Sequence, residues 1–318
     1  MRLEKIFRLS DVQLKKALRE ELIERGYNQN AIHNKAKFLY AEGNAPYMLV
    51  AHLDTVHKEP PSIICYSNDG NYIMSPQGIG GDDRCGVYII LSLIRKLSFR
   101  PHIVFTMDEE IGGIGASAFA DYITNHDAPE LKYIVEFDRK GNRDCVFYHC
   151  DNDDFTEFVQ NFGFTEARGT FSDISIIAPA LGVAAVNLSS GYYNAHTEHE
   201  YVSMTDMQYV INAAYRMLNT KCDAFEYVES YSSIYSNRRV SVTFLPKDSV
   251  VIEYRSGCSY YNDDNEIAVD QLGNYYRYSP RYRDLTGIWY ATITPAYDGA
   301  QIQYNPKQAQ SFPMYSFD

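Results

Sequence analysis

A run of apolar residues that ends abruptly in acids is the sequence feature that most limits how this chain can fold. Residues 102–107, HIVFTM, are followed at once by Asp108, Glu109 and Glu110, and then by a glycine-rich turn. An uninterrupted apolar run of this length predicts a strand buried on both faces of a sheet. Open α/β sheets bind their ligands at the carboxyl ends of the strands, so these acids are expected at a binding site. An ordinary acidic loop is the alternative.

The glycines decide how many of these acids can serve one site. Neighbouring residues on a regular strand point to opposite faces of the sheet. A chain that leaves the strand for a glycine-rich turn is free of that alternation, so Glu109 and Glu110 can face the same site. One acid could then hold a metal ion while the other moves a proton.

Charge and cysteine content exclude several classes of protein. The chain has 318 residues and a formal net charge of −12, which argues against nucleic acid or an anionic membrane as its partner. Neither a signal peptide nor a membrane-spanning run is predicted. The six cysteines form no CxxC pair, and a chain of this size needs no disulfides. We therefore predict reduced thiols in a cytoplasmic protein.

Predicted strands and helices alternate along the first two thirds of the chain. Strands are expected at residues 37–40, 47–51, 62–65, 72–74, 102–107, 133–137 and 183–188, and helices at 11–24, 87–97, 116–124, 151–161 and from a capping box at Thr205. This alternation predicts an α/β fold with a mostly parallel central sheet and helices on both faces.

The composition changes near Cys222. Half of the 28 tyrosines and the single tryptophan, Trp289, lie beyond it, in segments that alternate apolar and polar residues. Such alternation predicts antiparallel strands, whereas a flexible tail is the alternative. We expect a catalytic domain over residues 1–222 and a small Tyr-rich antiparallel β domain over residues 223–318.

Residues that could bind metal follow several of the predicted strands. They are His52 and Asp54, Glu109 and Glu110, Asp138, the loop residue His196, and Asp82 at the start of a helix. Each is a weak signal alone, but all are expected at the same edge of the sheet. Imidazole and carboxylate donors without thiolate suit zinc, cobalt or manganese. A carboxylate that two ions share allows a site with two metals about 3.5–4 Å apart.

The order of these motifs resembles a known group of enzymes. His-x-Asp at 52–54, Gly-Gly-Asp-Asp-Arg-x-Gly at 80–86, Glu-Glu at 109–110, Asp138 and His-Thr-x-x-Glu at 196–200 are similar to the motifs of the co-catalytic zinc exopeptidases. That clan includes peptidase T, aminoacylase-type amidohydrolases and bacterial leucyl-type aminopeptidases. The resemblance covers about residues 45–220 and is closest to peptidase T.

The resemblance implies a role for each matched residue. It implies that His52 and Asp138 bind one metal, that Glu110 and His196 bind a second, and that Asp82 bridges the two. Asp83 is the rival of Asp82 for the bridging position, and His199 is the rival of His196.

The resemblance also implies the residues that act on protons. Glu109 would be the general base that takes a proton from the attacking water. Asp54 would hydrogen-bond His52 and fix its tautomer, so that the imidazole presents one nitrogen to the metal.

One departure from the resemblance bears on the substrate. Peptidase T and the amidohydrolases carry a lid domain between the residues that match Asp138 and His196, and this interval is too short for one here. A lidless chain is similar to the aminopeptidases. We therefore expect an exopeptidase acting on short peptides through two divalent ions, zinc first and cobalt or manganese as alternatives. An amidohydrolase of non-peptide amides and a non-catalytic binding protein are the other hypotheses, and a homo-oligomer is allowed.

Overall fold

The chain divides into two compact units. A computed structural model describes residues 1–229 and, beyond them, the segments 240–244, 251–255, 266–269, 275–283, 289–296 and 310–314. The units are Met1–Ser230 and Tyr231–Asp318. The residues just after Cys222 belong with the first unit, since the N–H of Phe225 donates to the carbonyl of Lys132 and the Phe225 ring packs against its core.

The first unit contains two sheets. Within residues 1–229 the strands are β1 (Ile32–Asn34), β2 (Phe38–Ala41), β3 (Ala45–His52), β4 (Cys65–Tyr66), β5 (Tyr72–Met74), β6 (Pro101–Thr106), β7 (Tyr133–Arg139), β8 (Asp144–Val146), β9 (Thr165–Glu166), β10 (Ala185–Ser189), β11 (Tyr192–Tyr193) and β12 (Tyr201–Ser203). The larger sheet has eight strands in the order β1-β2-β6-β3-β7-β10-β8-β9, and the smaller has the order β11-β12-β5-β4.

The four central strands of the larger sheet run in one direction. β6 pairs with β3, β3 with β7 and β7 with β10, all in parallel. Their carboxyl ends therefore lie along one edge of the sheet. The predicted strands at 37–40 and 47–51 exist, and β6 lies between them in the sheet.

Helices cover both faces of this sheet. They are α1 (Leu3–Phe7), α2 (Asp11–Glu24), α3 (Gly81–Lys96), α4 (Ile114–Thr124), α5 (Asp153–Gln160), α6 (Ile174–Leu181) and α7 (Met204–Asn219), together with a 3-10 turn at Gln29–Ala31.

Strand alternation builds a separate apolar core on each face. Leu49 and Ala51 of β3 pack into the core that holds α2, α3 and α7, whereas Met48 and Val50 pack into the core that holds α4 and α6. The predicted fold, a mostly parallel sheet with helices on both faces, is confirmed.

Local sequence signals predicted the start of α2 correctly but misplaced the cap of α7. α2 begins as predicted, at a capping box in which the Ser10 side chain accepts from the N–H of Gln13 while the Gln13 side chain accepts from the N–H of Ser10. The box predicted at Thr205 is wrong, because the side chain of Ser203 accepts from the N–H of Asp206 and α7 begins at Met204. Thr205 instead donates its hydroxyl to Asn71.

The segment that begins at Ser172 contains a helix that the sequence did not predict. α6 follows Asp173 directly and contains Pro179 in its interior. β-Branched residues and proline both disfavour helix interiors, so local propensity predicted no helix here. Its apolar side chains pack against α4 and the sheet, and this burial outweighs the poor propensity.

The second unit is antiparallel. β13 (Val240–Phe244) pairs with β14 (Val251–Arg255), and a four-stranded sheet has the order β15 (Glu266–Val269), β16 (Tyr275–Arg283), β17 (Trp289–Ala296) and β18 (Gln310–Met314). All of these pairs are antiparallel, as predicted.

Two further predictions concern the chain as a whole. Among the described residues, no helix combines the length and the apolar character needed to cross a bilayer. The cysteines of the described part, at positions 65, 85, 145, 150 and 222, are free thiols. Cys258 lies outside that part.

Candidate metal centre

Four segments bring most of the predicted site residues to one edge of the sheet. His52 is the last residue of β3, Asp138 lies at the end of β7, and Glu109 and Glu110 follow β6. His196 lies in the loop between β11 and β12. The parallel direction of the central strands is what gathers these side chains, because each strand ends at the same edge.

Asp82 lies at the centre of this group. Its Oδ1 is 3.1 Å from Nε2 of His52, and its Oδ2 is 3.3 Å from Nε2 of His196. Each of the two oxygens of the Asp82 carboxylate therefore faces a different imidazole. Asp82 can take this position because the first turn of α3 is irregular, with φ −79° and ψ 105° at Asp82 itself.

Two sets of possible metal ligands share Asp82. His52, Asp82 and Asp138 form one, in which Nε2 of His52 is 3.5 Å from Oδ1 of Asp138. Asp82, Glu110 and His196 form the other, in which Nε2 of His196 is 3.0 Å from Oε2 of Glu110. In each set the donor atoms lie within 4.8 Å of one another.

Glu109 lies beside both sets. Its Oε2 is 3.9 Å from Nε2 of His52, farther than the oxygens of Asp82 or Asp138. His52, Glu109 and Glu110 also satisfy the spacing of a metal site, so geometry alone leaves Glu109 two roles, as a ligand and as a base.

Asp54 supports the Glu109–Glu110 turn through its carboxylate. Oδ1 accepts from the N–H of Glu109 at 3.2 Å, and Oδ2 accepts from the N–H of Glu110 at 3.1 Å. The sequence predicted that Asp54 would hydrogen-bond His52. The hydrogen bond from Nδ1 of His52 goes to the main-chain carbonyl of Asp54 at 3.1 Å, and the carboxylate lies 3.6 Å away.

The rival residues lie elsewhere. Asp83 is fully buried, and its carboxylate accepts from the N–H groups of His52 at 3.3 Å and Gly86 at 3.0 Å. His199 is exposed, and its carbonyl accepts from the side chain of Asn194. Neither joins the two ligand sets.

Burial and crowded charge shift the pKa values of these groups strongly. Burial, with the negative charges of Asp138 and Asp173, raises the pKa of Glu109 to about 9. Burial and the charge of Asp82 raise the pKa of Glu110 to about 7. Burial also opposes ionisation of Asp82, but hydrogen bonds from His196 and His52 outweigh it and lower the pKa of Asp82.

Neighbouring carboxylates raise the pKa values of both imidazoles. The hydrogen bond with Asp82 raises the pKa of His196 to about 9. Burial disfavours charge on His52, yet the surrounding carboxylates of Asp138, Asp54 and Asp82 raise its pKa well above the usual value. So many buried acids need compensating positive charge, either as protons or as bound cations.

The donor atoms fit a divalent ion. Oε1 of Glu110 is buried, and among the described residues it has no hydrogen-bond partner although its other oxygen faces His196. Such an oxygen is costly in a folded protein unless something binds it. Nitrogen and carboxylate donors without a thiolate suit zinc, cobalt or manganese.

Sequence reasoning missed several residues that position the centre. Glu200 is buried, and it accepts from the N–H groups of Gly80 at 2.8 Å and Asp82 at 2.9 Å. The other contact of its carboxylate is Nε2 of His57 at 3.1 Å. Glu200 closes the His-Thr-x-x-Glu motif, so the signal for it was present although its role was not assigned.

A second buried network lies beneath Asp138. The hydroxyl of Ser172 lies between the carboxylates of Glu136 and Asp138, and it is 3.0 Å from the latter. Oδ1 of Asn187 accepts from the N–H of Asp138 at 2.8 Å. Ser172 stands out in the sequence only as part of a Ser-Asp pair, and no local signal points to Asn187.

Several solved structures share this architecture. PepT, an aminopeptidase from Bacillus cereus, is 15% identical, with a TM-score of 0.55 over 68% of this chain and 96% of that one. A tripeptidase from Staphylococcus aureus is 14% identical, with a TM-score of 0.55 over 68% and 95%. PhTET1-12s, solved as a dodecamer, is 14% identical, with a TM-score of 0.52 over 69% and 98%. At these identities the likeness establishes the fold.

The family is established by sequence. A comparison with curated proteins gave no match. The profile of Peptidase family M28, however, matches residues 36–228, which is more than half of the chain and contains all of the predicted site residues. The family match and the fold together identify a metallo-exopeptidase. The chain belongs to Peptidase family M28.

Proposed function

We propose that the chain is an aminopeptidase with a dinuclear zinc centre. His52 and Asp138 would hold the first ion, Glu110 and His196 the second, and Asp82 would bind both. One observation carries this proposal: the two oxygens of Asp82 face different imidazoles, at 3.1 and 3.3 Å. A carboxylate in that arrangement is a suitable bridge between two ions.

Bound metal ions would polarise the substrate carbonyl and make water easier to deprotonate. Glu109 is proposed as the general base. Its carboxylate would take the proton of the attacking water and return it to the leaving amine. Asp54 would hold Glu109 in place through the main chain, because it binds the N–H groups of both glutamates.

Short peptides are the proposed substrates. Residues 139–195 add β8, β9, β10, β11, α5 and α6 to the first unit, so this interval contains no separate lid domain. This supports cleavage at the amino end of a peptide rather than capture of a terminal carboxylate.

Two further parts of the proposal concern assembly and location. A homo-oligomer is proposed on the precedent of PhTET1-12s, a dodecamer of the same fold. A cytoplasmic location is proposed because the cysteines of the described part are unpaired. Light scattering of the purified protein tests the first.

Metal analysis followed by a substrate panel tests the function. Protein saturated with zinc and freed of excess ion should contain about two ions per chain. It should hydrolyse aminoacyl anilides and dipeptides but not N-acylated amino acids. Cleavage of acylated substrates alone would favour an amidohydrolase, and the absence of bound metal would refute the proposal.

Comparing two neighbouring variants sharpens the assignment. Glu109→Gln should retain both ions and lose turnover, whereas Glu110→Gln should lose affinity for one ion. Both changes remove one negative charge from the same turn, so each is the control for the other. Equal loss of metal in the two variants would make Glu109 a ligand and not the base.

A further inference from the structure

A cavity of about 310 Å³ lies behind the loop that carries Asp54. The start of α2, residues 54–61, Gly80 and Arg84 form its walls. None of the proposed metal ligands, nor Glu109, lines it. The cavity is therefore distinct from the metal centre, although Asp54 borders both.

Arg84 gives the cavity a buried positive charge. The residue is only 5% exposed, and both of its hydrogen bonds leave from Nη1, which donates to the carbonyls of Ile6 and Leu9 at 2.8 Å each. Nε is buried and has no partner among the described residues. A guanidinium has five N–H donors, so this one has donors to spare for a carboxylate.

Asp11 gives the same cavity a negative charge. Its Oδ1 accepts from the N–H of Val12 at 2.8 Å, which leaves Oδ2 available. Asp11 is the acid whose charge acts most on Arg84, yet no ion pair joins the two side chains. Two opposite charges thus line one cavity without contacting each other.

Part of the remaining wall is suited to an aliphatic group. Phe7, Val56, Pro60 and Ile79 line the cavity beside the charged groups, and the exposed side chains of Lys58 and Glu59 lie at its border. A ligand that fits must offer a carboxylate, a positive charge and an apolar side chain within a small volume.

We propose that this cavity binds the zwitterion of a free α-amino acid with an apolar side chain, its carboxylate on Arg84 and its ammonium group on Asp11. The choice of ligand rests in part on the proposed function, since an exopeptidase releases free amino acids. The binding itself requires no turnover.

Two chains of contacts connect the cavity to the metal centre. Asp54 borders the cavity and binds the N–H groups of Glu109 and Glu110. His57 also lines it and contacts Glu200, which binds the N–H of Asp82. A ligand in the cavity therefore touches groups that position the proposed base and the proposed bridging ligand, and its binding is expected to change the activity.

Calorimetry of the zinc-loaded protein tests the proposal with four probes. L-Leucine should bind. N-Acetyl-L-leucine lacks the ammonium group, L-leucinamide lacks the carboxylate and glycine lacks the side chain, so each should bind more weakly. Leucine could also occupy the metal centre, and variants of the cavity separate the two sites.

Asp11→Asn should weaken leucine binding by about tenfold or more, the usual effect of losing a charge-assisted hydrogen bond. Glu20→Gln removes the same charge from an exposed position of the same helix and should leave binding unchanged. Arg84→Lys should weaken leucine and N-acetyl-leucine alike, provided that its thermal unfolding remains cooperative. Asp11→Asn should retain the metal content and the turnover measured without leucine.

Two results would overturn the proposal. One is leucine binding that is unchanged in both Asp11→Asn and Arg84→Lys. The other is N-acetyl-leucine or leucinamide binding as tightly as leucine, which would make the ligand a simple anion or cation. Inactivity toward peptides would refute the proposed function but would leave this binding result intact.

Discussion

Replacing Glu200 with glutamine tests how the proposed bridging ligand is held. Oε1 of Glu200 accepts from the N–H of Asp82, while Oε2 accepts from the N–H of Gly80 and contacts His57. Glutamine has the same shape, but one of its terminal atoms is a donor. In either orientation of the amide, an NH₂ group faces a main-chain N–H that it cannot accept from.

The size of the effect follows from burial. Glu200 is 1% exposed, so water cannot replace the lost acceptor. Loss of a charge-assisted hydrogen bond, with one buried N–H left unpaired, costs about 2–4 kcal/mol. The disturbed N–H belongs to Asp82 or to Gly80 two residues earlier, so part of this cost should appear as weaker metal binding.

Urea denaturation with and without zinc measures both effects. The unfolding free energy of the metal-free variant should fall by about 2–4 kcal/mol, with an unchanged dependence on urea. The stabilisation that zinc adds should also be smaller than in the wild type. Glu198→Gln, an exposed substitution two residues away, is the control. If Glu200→Gln matched Glu198→Gln in both measurements, the hydrogen bonds of Glu200 would not position Asp82.

Four other outcomes are expected. Glu109→Gln should lower turnover by about 10²–10⁴-fold with zinc content unchanged, as measured by steady-state kinetics and elemental analysis. Gly81→Ala should destabilise the fold by about 1–3 kcal/mol in urea and weaken zinc binding, because its Cβ would lie 2.8 Å from Cβ of Tyr192. A chain that ends at Ser230 should fold and bind zinc, since the proposed ligands and both apolar cores lie in the first unit; circular dichroism and elemental analysis check this. In metal-free protein, the raised pKa of Glu109, about 9, and of Glu110, about 7, means that the folded state retains protons that the unfolded state has lost. Its unfolding free energy should therefore fall as the pH rises from about 5 to about 9, and zinc should reduce that slope.

The central sheet was predictable because its strands are buried on both faces. A short, continuous apolar run such as residues 102–107 is typical of a parallel strand that helices cover on both sides. The acids and histidines at the ends of those runs then indicated the edge where a site would form. Strand β3 illustrates the limit, because its two neighbours β6 and β7 are set by long-range pairing that no local pattern encodes.

Short edge strands and the helix α6 were not predictable in the same way. β8 and β9 contain only three and two residues, and their pairing depends on neighbours that are distant in sequence. α6 contains Pro179 within a run of β-branched and small residues, so local propensity opposed the helix that burial produces.

The candidate site, like the fold, was predictable only in part. The residue types and their spacing identified Asp82, Glu110 and His196, which lie together in the structure. The roles of the supporting residues were harder to predict, because they depend on contacts with the main chain of other segments. Asp54 is an example: the sequence suggested a bond to His52, whereas its carboxylate binds the N–H groups of the Glu109–Glu110 turn.

A common principle links the supporting side chains. Asp54 binds the main chain at Glu109 and Glu110, and Glu200 binds it at Asp82. Asp83 binds the N–H of His52, and Asn187 binds the N–H of Asp138. Most of the proposed ligands are thus fixed by a polar side chain that holds their own peptide N–H.

This arrangement explains how a sheet edge with so many carboxylates would offer only a few free oxygens to a metal ion. Each N–H that donates to Asp54, Asp83 or Glu200 occupies a lone pair that would otherwise be available to a cation. The oxygens of Asp82 and Glu110 that face the imidazoles have no such main-chain donor among the described residues. The supporting acids should therefore affect metal affinity through position and charge and not as alternative ligands. Substituting them should weaken zinc binding without changing the number of ions that the protein binds at saturation.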